Sequence, residues 1–205
     1  MIGSLFDVAL ATGGEIEVED ADGQRAPLPV ATWTARPSGA DAGLLDRCRG
    51  ATLDIGCGPG RFVAALGERG VPALGIDVTP SAISRTRARG GTALQRDVFG
   101  PLPGDGRWQT ALLADGNIGI GGDPLRLLRR VSALLDPDGR ALVELSGPGP
   151  GRGTFAVRLR TGRAYGPWFR WAEVGADDLA PLAEQAALRV TERWQEDDRW
   201  FACLG

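Results

Sequence analysis

From residue 51 onward the chain alternates short apolar runs with stretches in which apolar residues recur every three or four positions. The runs Ala51–Ile55, Ala73–Asp77, Thr92–Gln95, Thr110–Asp115 and Arg140–Ser146 each give way to a polar or glycine-bearing segment, as buried strands do. Between them the clearest helix covers Asp123–Leu135. Its Leu128, Val131 and Leu135 recur at helical spacing, and Asp136-Pro137-Asp138-Gly139 turns the chain toward the next strand. Strands alternating with helices predict an α/β class with a mainly parallel sheet. The flanks follow a different rhythm. Glu15–Glu19 alternates apolar and acidic residues, Asp22-Gly23 supplies a turn, and Leu28–Trp33 is expected to return as a second strand, so that residues 1–39 form a lid hairpin ahead of a core at 40–147. Gly147–Gly153 is a Gly/Pro-rich breaker, and Thr154–Gly175 then alternates apolar and basic residues, which predicts an inserted hairpin within 148–175. A helix over Ala176–Ala187 and strands Leu188–Gln195 and Arg199–Leu204, joined at Glu196-Asp197-Asp198, are expected to close the chain over 176–205.

A length of 205 residues suits a single domain carrying a lid or insertion, and 43% hydrophobic residues are enough for a real core. The 23 basic and 26 acidic residues leave a net charge of −3, no footprint for gripping a phosphate backbone, so no nucleic-acid partner is expected. All the basic residues are arginine. The lack of Lys and His removes the imidazole base, the Schiff-base amine, the P-loop lysine and any His-rich metal site, and no metal is expected. Cys48, Cys57 and Cys203 are odd in number and scattered, which argues for a reducing compartment rather than a disulfide framework. Met1–Asp7 has no basic segment leading into an apolar one, and no run approaches about 18 apolar residues, so a cytoplasmic protein off the membrane is expected, as a monomer or homodimer.

The densest chemical signal is Ala51-Thr52-Leu53-Asp54-Ile55-Gly56-Cys57-Gly58-Pro59-Gly60-Arg61-Phe62, an apolar strand running into a glycine-rich turn and then a helix. Such a unit brings backbone N–H groups and a helix start close to a ligand, with no side chain at the glycines to block its approach. A dinucleotide fingerprint spaces its glycines G-x-G-x-x-G, whereas Gly56, Gly58 and Gly60 fall on alternate positions, which disfavours a nicotinamide-dependent oxidoreductase.

The stretch Asp54 to Gly60 resembles motif I of the class I S-adenosylmethionine-dependent methyltransferases, an acidic residue followed by glycines at alternate positions. Further landmarks of that family follow in order: Ile76-Asp77-Val78, Gln95-Arg96-Asp97-Val98, and Leu113-Ala114-Asp115-Gly116-Asn117. The resemblance implies a Rossmann-like, seven-stranded, mainly parallel sheet with helices on both faces and an antiparallel last strand. It also implies S-adenosylmethionine as cofactor and S-adenosylhomocysteine as product. The cofactor residues it implies are Asp54, Gly56, Cys57, Gly58, Gly60, Asp77, Val78, Asp97, Val98, Asp115 and Gly116, with Asp77 accepting from the ribose hydroxyls and Asp97 capping the adenine amino group. One departure narrows the chemistry: the loop after Asp115 lacks the Asn/Asp-Pro-Pro-Tyr/Phe sequence of many amino-methylating relatives, which disfavours DNA bases and glutamine amides as acceptors.

A small-molecule acceptor is therefore expected, with an S-adenosylmethionine-binding protein of regulatory or non-methylating role as the alternative. The sulfonium methyl is already activated, so alignment of the acceptor is the main task, and a base is needed only for a poorly acidic acceptor. Asp115 is the candidate catalytic residue. Asn117, Tyr165, Trp168 and Trp171 are the candidate acceptor contacts; the last three belong to an aromatic cluster with Phe169, flanked by Arg163 and Arg170. Trp33 and Arg36 of the lid are candidates of the same kind, and Cys57 reads as a packing residue rather than a nucleophile.

Overall fold

A computed structural model describes residues 15–205 together with Asp7, so the rest of Met1–Asp7 and the first part of the expected lid lie outside the described residues. The larger sheet contains β3 (Thr52–Ile55), β4 (Ala73–Asp77), β5 (Thr92–Gln95), β6 (Trp108–Leu113), β7 (Leu135–Leu145), β11 (Val190–Glu196) and β12 (Arg199–Leu204), in the order β11-β12-β7-β6-β3-β4-β5. Strands β3 to β7 run parallel, β12 is antiparallel to β7, and β11 is antiparallel to β12. This is the expected Rossmann-like arrangement. The helices are α1 (Val30–Thr34), α2 (Ala40–Asp46), α3 (Arg61–Glu68), α4 (Pro80–Ala88), α5 (Pro124–Leu134) and α6 (Leu179–Gln185).

Strand alternation explains how both faces are covered. Leu53, Ile55, Ala111, Leu113, Val143, Ala202 and Leu204 point to one face, against Leu127, Leu128 and Val131 of α5 and Leu179 and Ala183 of α6. Their neighbours Leu112, Leu142, Phe201 and Cys203 point to the other, against Leu44 and Leu45 of α2 and Phe62 and Leu66 of α3. Each fully buried leucine is worth about 1.5–3 kcal/mol, so these two layers carry the fold. Helix α5 starts where the sequence predicts: Asp123 Oδ1 accepts the Arg126 N–H at 3.0 Å, and Pro124 needs no donor in the first turn. The Asp136–Gly139 turn lies inside the span of β7, where the pairing with β6 jumps from Trp108↔Leu135 to Thr110↔Arg140. Among the described residues, no helix is long and apolar enough to cross a membrane.

A second, antiparallel sheet joins β1 (Glu17–Asp20) and β2 (Arg25–Pro27) to β8 (Gly153–Thr161), β9 (Ala164–Tyr165) and β10 (Phe169–Glu173), in the order β10-β8-β1-β2 with β9 on β8. The lid and the insertion are thus one structure, registered by Glu17↔Arg160 and Asp20↔Val157. The expected strand Leu28–Trp33 is corrected. Asp20 Oδ1 accepts the N–H groups of Asp22 (3.0 Å) and Gln24 (2.8 Å), which tightens the turn so that the return strand begins at Arg25. Pro27 and Pro29 lack N–H donors, the ladder stops, and Val30–Thr34 is helical instead.

Candidate functional site

The turn between β3 and α3 depends on glycine at two positions for different reasons. Gly58 has φ +51° and a Cβ there would meet nothing within 4 Å, so its bare Cα faces open space. Gly60 has φ +80° and a Cβ there would sit 2.4 Å from Thr86 Oγ1, because α4 packs directly onto the turn. Thr86 is fully buried and its hydroxyl serves the carbonyls of Gly58 and Ala82, both at 3.0 Å. Cys57, buried in the same turn, has its thiol pKa pushed far up by burial, which fits packing rather than nucleophilic use.

Asp77 ends β4 opposite this turn. Its Oδ2 accepts the Gly58 N–H at 3.0 Å and its Oδ1 the Thr79 N–H at 2.8 Å, so the carboxylate both braces the turn and keeps lone pairs for a further donor. Beside it, Asp97 Oδ1 accepts the Phe99 N–H at 2.9 Å, Val98 is buried, and Val78 is half exposed at the rim.

On the other side of the turn stands a charged network that sequence reasoning missed. Arg61, the first residue of α3, is buried and bridges Asp41 of α2 and Asp115 Oδ1 (2.7 Å). Arg199 of β12 joins Asp41 at 2.6 Å, Glu144 of β7 through both oxygens at 2.8 and 2.7 Å, and Asp115 Oδ1 at 3.4 Å. Glu144 Oε2 also accepts the Asp115 N–H at 2.5 Å, which holds Asp115 at φ +54°, followed by Gly116 at +76°. Burial works against the Arg199 charge, but its bonds to Glu144 and Asp41 outweigh that and keep the guanidinium more basic than usual. Burial raises the Asp115 pKa against the pull of Arg61. Asp54, almost wholly buried and with no hydrogen-bond partner for Oδ2 among the described residues, is pushed up to about 8 by burial and by the charge of Asp115.

Of these groups Asp54, Gly58, Arg61, Asp77, Asp97 and Asp115 border a cavity of about 800 Å³ between the carboxyl ends of β3, β4 and β6 and the inner face of the small sheet, whereas Asp41, Glu144 and Arg199 do not line it. Its far wall carries the apolar Val18, Phe155, Val157, Leu159, Phe169 and Trp171, with Trp33 of α1, together with the charged Asp20, Arg25, Arg152, Arg170 and Glu173. The loop after β6 is glycine-rich for a packing reason. A Cβ on Gly119 would lie 2.6 Å from Trp171 Nε1 and 2.2 Å from the Ala172 carbonyl, so β10 rests on bare backbone.

Of the sequence candidates, Asp54, Gly56, Cys57, Gly58, Asp77, Val78, Asp97, Val98, Asp115, Asn117 and Trp171 all border this cavity, whereas Gly60 and Gly116 do not line it. Two acceptor candidates are corrected. Tyr165 and Trp168 are 47% and 48% exposed and stack under Arg158 (4.1 and 4.7 Å) on the outer face of the small sheet, beside the Glu17–Arg160 and Glu19–Arg158 pairs. Tyr165 pairs with Arg160, one step out of phase with the inward residues 155, 157 and 159. Asn117 is largely committed elsewhere, since its Nδ2 donates to the carbonyls of Ile55 (2.9 Å) and Gly56 (3.0 Å) and fastens the loop to the glycine turn.

A family described as a methyltransferase domain matches residues 33–192. Among curated proteins, the ribosomal RNA small subunit methyltransferase C of Chromohalobacter salexigens is 30% identical over 146 residues, 67% of this chain and 39% of that protein. The chain thus spans about two fifths of the length of that relative. Among solved structures, a SAM-dependent methyltransferase from Bacteroides fragilis, in complex with S-adenosyl-L-homocysteine, superposes with a TM-score of 0.81 at 22% identity, covering 100% of this chain and 93% of its own. The 1,6-didemethyltoxoflavin-N1-methyltransferase of Burkholderia thailandensis superposes at 0.59 and 22% identity, over 77% of this chain and 71% of its own.

Proposed function

The chain belongs to the methyltransferase domain family, and on that premise we propose that it transfers a methyl group from S-adenosylmethionine to a small, flat, mostly apolar acceptor. The observation that carries the reading is the cavity itself, with the bare Cα of Gly58 and the Asp77 carboxylate on one wall and aromatic rings on the other. The residues present fit such a donor: Gly58 leaves room for a ligand against the backbone, and Asp54 Oδ2 is a buried acceptor without a partner among the described residues. Asp77 would take the ribose diol and the Asp97–Phe99 segment the adenine, with the amino-acid end lying toward Asp54 and Asp115.

When bound, the cofactor supplies a methyl already activated by its sulfonium. The chain's work is then to exclude water and to align the acceptor, and good alignment contributes on the order of 7–11 kcal/mol. Trp171, Phe169 and Phe155 would hold the acceptor plane, and the small sheet would keep bulk water out. The roofed shape of the cavity and the net charge of −3 favour a small molecule over a nucleic acid.

The test is incubation with S-adenosylmethionine carrying a labelled methyl, a panel of heteroaromatic and phenolic acceptors, and an RNA arm, with S-adenosylhomocysteine release as readout. Turnover with a small acceptor is expected. Turnover confined to RNA would refute the acceptor class.

A further inference from the structure

Three carboxylates, Asp41, Asp115 and Glu144, share two guanidinium groups, Arg61 and Arg199, leaving the network one positive charge short. Both oxygens of Asp41 and both of Glu144 are taken by arginines. Asp115 differs. Its Oδ1 receives Arg61 and Arg199, its Oδ2 takes no hydrogen bond from the described residues, and it is the carboxylate of the three that borders the cavity. Its backbone is held at positive φ by the N–H bond to Glu144, a residue that Arg199 grips through two parallel bonds. One side chain of the closing strand therefore fixes both the backbone and the carboxylate of Asp115.

We infer that Arg199 is a positioning residue for the methyl donor, holding Asp115 with Oδ2 toward the cavity so that this oxygen receives the donor's α-ammonium group. The inference rests on the donor reading above. It follows from where the charges lie: the diol acceptor Asp77 is on one side of the glycine turn, and the charge-deficient network on the other, where the zwitterionic end of an amino-acid-bearing nucleoside would fall. The ammonium of that end, held against Asp115 Oδ2, meets the uncompensated carboxylate charge locally, and a ligand end without an ammonium leaves that oxygen unpaired. On this account Asp115 binds the donor and is not the base.

The test titrates wild type, Arg199→Lys, Asp115→Asn and the double variant with two ligands. S-adenosylhomocysteine carries the amino-acid end; 5′-methylthioadenosine keeps the nucleoside and sulfur without it. Asp115→Asn is expected to weaken S-adenosylhomocysteine by about 10- to 100-fold, the loss of one charge-assisted contact. Arg199→Lys keeps the charge but not the planar fork, and is expected to weaken it by about tenfold. The double variant should bind no more weakly than Asp115→Asn alone, because the two residues act as one unit. Affinity for 5′-methylthioadenosine should stay within about twofold throughout. Equal losses for both ligands, or losses that add in the double variant, would overturn the inference while leaving the donor reading intact. Wild type that binds neither ligand overturns both. Should Arg199→Lys not fold by circular dichroism, Glu144→Gln removes the charge that the fork grips and keeps an oxygen for the Asp115 N–H. The same ligand-selective loss is then expected, and an unselective one refutes the inference.

Discussion

Alanine placed at Gly58 and, separately, at Gly60 makes a controlled pair, because the two share a positive φ and differ in surroundings. The backbone cost is common to both, about 1–2 kcal/mol for a Cβ in the left-handed region. At Gly58 nothing stands within 4 Å of that Cβ, so the cost stops there. For a chain of this size it corresponds to a melting temperature lower by roughly 2–8 °C. At Gly60 the Cβ would lie 2.4 Å from both Thr86 Oγ1 and Cγ2. Thr86 is fully buried, so it must be forced aside, at about 1–3 kcal/mol for overpacking, and its hydroxyl loses buried partners for about 1–3 kcal/mol more. The Gly60→Ala total, about 3–8 kcal/mol, is comparable with the whole stability of a domain. Ligand binding should reverse the order of severity in one respect. At about 100 times its dissociation constant, S-adenosylhomocysteine should stabilise the wild type by about 2.7 kcal/mol, and the new methyl of Gly58→Ala should abolish that gain while leaving the apo protein folded. The assay is thermal melting with and without ligand. A Gly58→Ala protein that keeps the full ligand shift would show that no ligand runs over Gly58, and a Gly60→Ala protein as stable as Gly58→Ala would refute the packing argument.

The remaining predictions concern the other walls. Asp77→Asn should weaken S-adenosylhomocysteine by about 10- to 100-fold in calorimetry, and should lower the melting temperature as well, since Asp77 also holds the Gly58 and Thr79 N–H groups. Burial pushes the Asp54 carboxyl up to about 8 from an ordinary value of 3.8. Folded protein therefore binds a proton that unfolded chain has released, and the Asp54 contribution to stability falls as pH rises from about 4 to about 8. Asp54→Asn should flatten that slope in urea titrations across the same range, and an unchanged slope would count against it. Trp171→Ala should lower acceptor kcat/KM by about 10- to 100-fold with donor affinity moving less than about threefold, whereas Trp168→Ala, on the outer face, should change neither.

What could be read in the sequence, and what could not, divides along the range of the interactions. Strands β4, β5 and β12 match the predicted spans Ala73–Asp77, Thr92–Gln95 and Arg199–Leu204 because their signals are local, apolar runs ended by turns. The glycine turn is equally local, since φ and the absence of a side chain act at single residues. Strand β2 left no such mark: Arg25–Pro27 has no buried residue and is set by the Asp20 turn, so the apolar run just after it drew the assignment instead. Tyr165 and Trp168 sit close to Trp171 along the chain, but strand pairing puts Tyr165 opposite Arg160 on the outer face, and Trp168, just ahead of β10, lies with it under Arg158. The charged network was beyond local reading, because Asp41 and Arg199 lie 158 residues apart and nothing near either one announces the partner.

Every role proposed for the cavity depends on its taking S-adenosylmethionine and its product. The decisive measurement is calorimetric titration of the wild type with S-adenosylhomocysteine, with NAD as a parallel adenosine-bearing ligand. The account predicts one equivalent of S-adenosylhomocysteine bound with a dissociation constant of about 1 mM or tighter, no more than trace heat from NAD, and loss of the signal in Gly58→Ala. Saturable binding of NAD with none of S-adenosylhomocysteine, by a protein that melts cooperatively, would contradict it.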